Sequence, residues 1–215
     1  MTTEEKRFDF TNWFEANSKT VYLALGALVV GIAGYYAYKN MYLKPRQAEA
    51  SAKIRTAEDL FARDSFDRAL NLPELGFLAI ANDYSSTQAG NLAKGYAGIC
   101  YLQMGKFDDA IAMMNKFSPD GRVMPATKLS VLGDAYSEKG DFGKASDYYK
   151  KAAQAGDVED LKANNLKKAG LLAEYKQNDI KAALECYKEL KAKFPTSADG
   201  RDIEKYIARA EAKVK

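Results

Sequence analysis

The sequence predicts an all-α chain: one membrane-spanning helix near the N-terminus, then an α-solenoid of helix hairpins closed by a C-terminal capping helix. Three observations carry that expectation. Residues 21–38, VYLALGALVVGIAGYYAY, run for 18 positions without a charge, an amide side chain or a proline. AGICYLQMGKFDDA (97–110) and LGDAYSEKGDFGKA (132–145) align without a gap at a period of 35 residues. FPTSADG (194–200) parallels YSSTQAG (84–90), and Tyr206 lies six residues past Gly200 just as Tyr96 lies six past Gly90.

Residues 1–19 form a short tail, with three Lys/Arg against four Asp/Glu and with Phe8, Phe10, Trp13 and Phe14 too irregular for an amphipathic helix. Its last turns are expected at the interface. At a helical rise of ~1.5 Å the apolar run is about 27 Å long, close to the ~30 Å hydrocarbon core of a bilayer. Lys19 and Lys39 bracket it, and Tyr22, Tyr35, Tyr36, Tyr38 and Tyr42 supply interfacial rings, so 20–42 reads as an anchor with its interface. A cleavable leader would have a basic start and a shorter apolar core, and a lipoprotein anchor would need a nearby cysteine; neither pattern is present around the run. A buried core helix would carry a polar face, whereas this one is apolar all round. Ala24, Ala27, Gly31 and Gly34 share one stripe, which either lets a neighbouring helix approach in lipid or reflects how common small residues are in such helices.

After the anchor, Pro45 is expected to mark a break or bend, and residues 43–215 form the solenoid. A degenerate first repeat spans about 45–88, with Pro73 where a small alanine should stand. Further repeats span 91–124, 126–159 and 162–197, and a polar cap spans 198–215. In the aligned pair, Gly98 and Gly133 give the second helix room to cross closely, and Tyr101 and Tyr136 fill the wedge. Gly105 and Gly140 end the first helix, and Ala110 and Ala145 keep the return helix near. The third copy keeps Ala183, Tyr187, Leu190 and Pro195, with Asn178 as its left-handed turn residue. Leu171 falls where its close-packing glycine should be, and an insertion is expected around 155–160. These Leu-Gly-x-x-Tyr, Ala, aromatic and Pro positions resemble the tetratricopeptide repeat (TPR).

Composition narrows the function. Net charge is +3 with acidic and basic residues interleaved, without the basic block that marks nucleic-acid binding. Histidine is absent, which removes the usual general base and zinc ligand, and there is no CxxC, Walker or Rossmann glycine pattern. No enzyme activity, metal or cofactor is expected; carboxylate chemistry would be the remaining enzymatic option. Cys100 and Cys186 fall on different repeats and are expected to be buried free thiols.

In a TPR stack the first helices line the concave face. The candidate protein-binding groove is therefore Leu92, Gly95, Ile99, Leu102 and Gln103 in one repeat and Thr127, Ser130, Asp134, Ser137 and Glu138 in the next. No Lys or Arg is among them, which speaks against a clamp for a C-terminal carboxylate. An extended or helical protein segment is the expected ligand, although Leu92 and Leu102 could equally pack between repeats.

The layout also resembles the YfgM-like family of ancillary Sec-translocon subunits, in a Bacteroidetes-type version. Trp13, Phe14, Glu15, Asn17 and Lys19 followed by a Gly/Ala-rich span carry the likeness, with GRDIEKYIARAEAK at the tail. The resemblance implies a single-pass inner-membrane protein with a periplasmic repeat domain. Its implied partners are Sec translocon subunits, a periplasmic chaperone or prolyl isomerase, and exported clients. The charge bias leans the other way, with three Lys/Arg before the span (Lys6, Arg7, Lys19) and five after it (Lys39, Lys44, Arg46, Lys53, Arg55). A self-associating membrane scaffold, as a homo-oligomer without an export role, is the alternative from a different class.

Overall fold

A computed structural model describes residues 10–214. Phe8, Lys6 and Arg7 of the expected tail, and the side chain of Phe10, lie outside the described residues. Among those described, the chain is helical with no strand, and it divides into two compact units between Ala48 and Glu49.

The first unit holds α1 (Phe10–Ala37), a π-helical turn (Tyr38–Leu43) and the start of α2 (Lys44–Phe61). The segment expected as a tail is already helical from Phe10, and Asn17 donates to the Trp13 carbonyl at 2.8 Å within it. An 18-residue window here has a mean hydropathy of 1.7 with none of it buried, so α1 is long and apolar enough to cross a bilayer. Ala24, Ala27, Gly31 and Gly34 are all exposed. Pro45 does not break the helix as expected. Having no N–H, it cannot bond the carbonyl four residues back, and the chain accommodates it by widening into the π turn, where the Lys44 N–H donates to the Lys39 carbonyl.

The second unit is a succession of helix hairpins: α2 with α3 (Phe66–Asn71) and α4 (Phe77–Asp83), α5 (Gln88–Gln103) with α6 (Phe107–Lys116), α7 (Met124–Glu138) with α8 (Phe142–Gln154), and α9 (Glu159–Tyr175) with α10 (Ile180–Lys193). Each hairpin turns through a left-handed residue: Asp64 (φ 55°), Gly105 (φ 73°), Gly140 (φ 79°) and Asn178 (φ 54°). Five residues past each stands a wholly buried alanine, Ala69, Ala110, Ala145 and Ala183. The packing alanine of the first repeat is thus Ala69; Pro73, expected there, lies in the link that splits the return helix into α3 and α4. Asp64 was missed because a non-glycine in a left-handed turn leaves a weak sequence signal.

Within each hairpin, a missing side chain lets two helices touch. A Cβ on Gly98 would lie 2.9 Å from Met114 Cε, and one on Gly133 would lie 2.6 Å from Tyr149 Cδ1. In the last hairpin the same contact is made by Gly170 against Tyr187, not at Leu171 as expected. The expected single insertion is in fact divided. From Gly133 to Gly170 is 37 residues and from Tyr149 to Tyr187 is 38, so one extra residue lies in the turn after Tyr175 and the others between α8 and α9.

The helix entries of α5 and of α11 (Ala198–Arg201) are built alike. Thr87 accepts from the Gly90 N–H at 2.9 Å while donating to the Tyr84 carbonyl at 2.7 Å, and Ser197 does the same with Gly200 (2.9 Å) and Phe194 (2.8 Å). A Cβ on Gly90 or Gly200 would strike the Tyr84 or Phe194 carbonyl oxygen, so glycine six residues past the aromatic is a steric requirement.

The cap expected as one helix over 198–215 is two, α11 and α12 (Glu204–Val214), because a tightened turn buries Ile203 completely. Ile207 and Ala210 follow it into the core beside Tyr187 and Leu190. Electrostatics seals the same end. The Glu174 side chain, wholly buried on α9, accepts from Arg209 (2.9 and 2.6 Å), Lys213 (2.8 Å) and the Tyr187 hydroxyl (2.9 Å). Burial alone would raise its pKa, but these donors outweigh it and hold the carboxyl down at about 2, from an ordinary 4.5. Lys167 and Asn164 add bonds to Asp199 at 2.6 and 3.1 Å.

Two outcomes are expected from thermal melts of the detergent-solubilised chain. Gly90→Ala destabilises the repeat unit by roughly 2–4 kcal/mol because backbone must move, whereas Gly143→Ala in α8, where an added Cβ would meet only Asp141 Oδ1 at an ordinary 3.9 Å, stays within about 0.5 kcal/mol of wild type or gains slightly. Glu174→Gln lowers stability at neutral pH by roughly 3 kcal/mol. Since the folded pKa is depressed, the Glu174 contribution is present above pH 4.5 and lost as pH falls towards 2. Wild type therefore loses stability across that window more steeply than Glu174→Gln.

Candidate protein-binding groove

The first helices α5, α7 and α9 are neighbours, and the residues at intervals of three and four along α5 and α7 fall on one stripe of each. The structure distributes the candidate residues over three hollows rather than one continuous site. Leu92, Gly95, Ile99 and Thr127 meet around a small apolar cavity of about 60 Å³, completed by Tyr96, Met114, Phe117 and Met124. Gly95 lets the Phe117 ring close against α5 at its edge: a Cβ there would lie 3.2 Å from that ring. Phe117 ends α6 and was not among the expected groove residues, since it belongs to a return helix and reaches the stripe only through the tertiary crossing.

Gln103, Asp134 and Glu138 border a second, wider hollow of about 350 Å³ with Leu102, Gly105 and Phe107. Ser137 borders a third of about 330 Å³ with Tyr149, Lys168, Leu171, Leu172, Tyr175 and Lys176. Ser130 is buried at 7% exposure beneath them, within 3.4 Å of Lys168 Nζ. Leu92, Ile99 and Leu102 are half-buried and pack between repeats as well as facing the hollows.

Charge is where the structure changes the expectation. The groove positions themselves hold no Lys or Arg, yet α9 delivers Lys168 to Asp134, at 2.8 and 2.9 Å from its two oxygens. The Tyr149 hydroxyl donates to the same carboxylate at 2.7 Å. Burial, reinforced by the adjacent Asp134 charge, pushes the Tyr149 phenol far above its usual range, so it stays a neutral donor. Asp134 is thereby committed to an internal bridge joining α7, α8 and α9. No pairwise spacing in the sequence pointed to Lys168, because the contact crosses 34 residues between separate hairpins.

The two thiols take no part. Cys100 and Cys186 are buried and unbonded to each other, and burial pushes the Cys100 thiol up to about 12 and the Cys186 thiol in the same direction. Among the described residues no group of three His, Cys, Asp or Glu side chains converges to hold a metal. The arrangement suits contact with an apolar side chain flanked by polar groups.

Comparison with known proteins agrees with this architecture in two places. Residues 129–155, covering most of α7 and α8, match a tetratricopeptide repeat, and residues 168–197, covering the end of α9 and all of α10, match a second. A search of curated proteins gives no match. The chain therefore carries a long apolar N-terminal helix followed by a helical repeat region of tetratricopeptide type.

Proposed function

We propose that the protein is a membrane-anchored adaptor that binds other proteins through the face formed by α5, α7 and α9. The observation that carries this reading is the apolar cavity at Leu92, Gly95, Ile99 and Thr127, on the stripe that tetratricopeptide stacks offer to ligands. A cavity of about 60 Å³ admits one small aliphatic group, and sealing it away from water at about 0.8 kcal/mol per buried CH2 gives a peptide with polar flanking contacts an anchor point. The exposed apolar α1 supplies the tether.

On the resemblance to YfgM-like subunits, the repeat unit lies on the periplasmic side of a bacterial inner membrane. There it serves as an ancillary part of the Sec translocon, meeting clients beside a periplasmic chaperone or prolyl isomerase. The excess of Lys and Arg after the span favours a cytoplasmic repeat unit instead, and protease added outside spheroplasts separates the two: degradation of the repeat unit supports the periplasmic side. A self-associating scaffold is a second reading, favoured by the open space beside Gly31 and Gly34 in α1.

A photocrosslinking residue at Ile99 is expected to capture translocon subunits or exported chains in growing cells. Capture of nothing but further copies of this chain would replace the adaptor with the scaffold. Ile99→Asp, which sets a charge in the apolar cavity, should lower partner recovery roughly tenfold or more, while Glu185→Gln on the exposed side of α10 should leave it unchanged.

A further inference from the structure

We propose that Asp120 is a modification site: its side chain condenses spontaneously with the Gly121 amide, and the cyclic imide reopens to an isoaspartyl link. The inference makes no use of the adaptor reading and is tested apart from it.

The sequence offers two equal places for this chemistry, Asp120-Gly121-Arg122 and Asp199-Gly200-Arg201. Glycine after aspartate favours ring closure because no Cβ shields the attacking nitrogen. The structure separates the two. Asp120 and Gly121 are both exposed in the link between α6 and α7, outside any helix. The Gly121 N–H donates to Asp120 Oδ1 at 2.7 Å, which holds the nitrogen beside the carboxyl group it must attack. No atom lies within 4 Å of where a Cβ on Gly121 would stand, so the ring has room to form. Asp199 and Gly200 are locked instead. Lys167 holds Asp199 Oδ1 at 2.6 Å and Asn164 holds Oδ2 at 3.1 Å. The Gly200 N–H is turned to Ser197 Oγ at 2.9 Å, and Gly200 is buried within α11 against the Phe194 carbonyl.

The steps balance without any co-reactant but water. The Gly121 nitrogen attacks Cγ of the protonated Asp120 carboxyl group; an N–Cγ bond forms, and the amide proton and the carboxyl hydroxyl leave together as one water molecule. Water then adds to either carbonyl of the imide. Breaking the N–Cγ bond restores aspartate. Breaking the bond from the nitrogen to the Asp120 backbone carbonyl carbon sends the main chain through Cβ and Cγ and leaves that carbonyl carbon as a free carboxylate. No electrons are transferred, and the net charge is unchanged.

The isoaspartyl link lengthens the main chain by one atom where both flanks are clasped. Asn91 donates to the Ser118 carbonyl at 2.7 Å and accepts from the Ser118 N–H at 3.0 Å. The Arg122 carbonyl accepts from the Asp157 N–H at 2.9 Å, and a Cβ on Gly156 would strike that same oxygen. The extra atom must therefore be absorbed between Ser118 and Arg122, or a clasp must give. Phe117 and Met124, just outside these clasps, are walls of the apolar cavity.

The test incubates the full chain in detergent at growth temperature for several weeks, then digests it with trypsin. Peptides 117–122 and 194–201 report the two pairs separately. Electron-transfer fragmentation identifies isoaspartate by cleavage at its Cα–Cβ bond. Isoaspartate should accumulate in 117–122 at least about tenfold faster than in 194–201, where reaction waits for local opening. In guanidinium chloride the difference should vanish, since both pairs then share the same Asp-Gly-Arg sequence in an unfolded chain. Asp120→Glu, which would need a larger ring, should leave 117–122 as a single species. Equal accumulation in the folded chain, no isoaspartate in 117–122, or a difference that persists in guanidinium chloride each overturns the proposal.

Discussion

The structure of the repeat unit depends on how closely two helices can cross. In each regular hairpin the first helix offers a glycine and the second lays a large side chain across it: Gly98 beneath Met114, Gly133 beneath Tyr149, Gly170 beneath Tyr187. Interiors tolerate neither voids nor overlap of even a methyl group. Once that crossing is set, the left-handed turn and the buried alanine five residues later have little freedom of position. Ala69, Ala110, Ala145 and Ala183 are all fully enclosed for the same reason, although the chain between them varies in length. Extra residues are absorbed where nothing crosses, in the link between α3 and α4, between α8 and α9, and in the turn after Tyr175.

A stack built from such local contacts must end somewhere without leaving an apolar face in water. At the C-terminal end Ile203, Ile207 and Ala210 cover the last hairpin. Glu174 then ties the covering helix down with three residues' donors around one buried carboxylate. A buried charge of this kind adds less net stability than an apolar contact of equal size, because its desolvation offsets much of the attraction. What it contributes is position: Arg209 and Lys213 can reach Glu174 together in one placement of α12.

The same economy of charge shapes the candidate binding face. Asp134 would be a conspicuous acidic group on the open stripe if α9 were absent, but Lys168 and Tyr149 occupy it. The Leu92 to Thr127 cavity is lined by apolar groups, and in the separate second hollow the commitment of Asp134 leaves Gln103 and Glu138 as the polar groups without that internal bridge. That pattern fits recognition of protein segments by shape and burial, with selectivity set by what surrounds one anchoring side chain.

Much of this was legible in the residues alone. Apolar length sets the long N-terminal helix, since 18 uncharged residues need no partner to declare themselves. The 35-residue register set the central hairpins, and the parallel between 84–90 and 194–200 marked two like segments, which the structure makes the entries to α5 and α11 through contacts between residues close in sequence. Contacts between hairpins were beyond reach. Lys168 on Asp134 depends on where one hairpin lies against the next. Gly170 rather than Leu171 and Phe117 at the cavity depend on how the two helices of one hairpin cross, which a one-residue shift in a loop changes by rotating a helix about 100°. The amino-acid sequence by itself determined which helices form and where the chain turns, through local sterics and apolar periodicity. Tertiary packing alone decided which side chains meet across the repeats, and so which charges are spent internally and which cavity stays open.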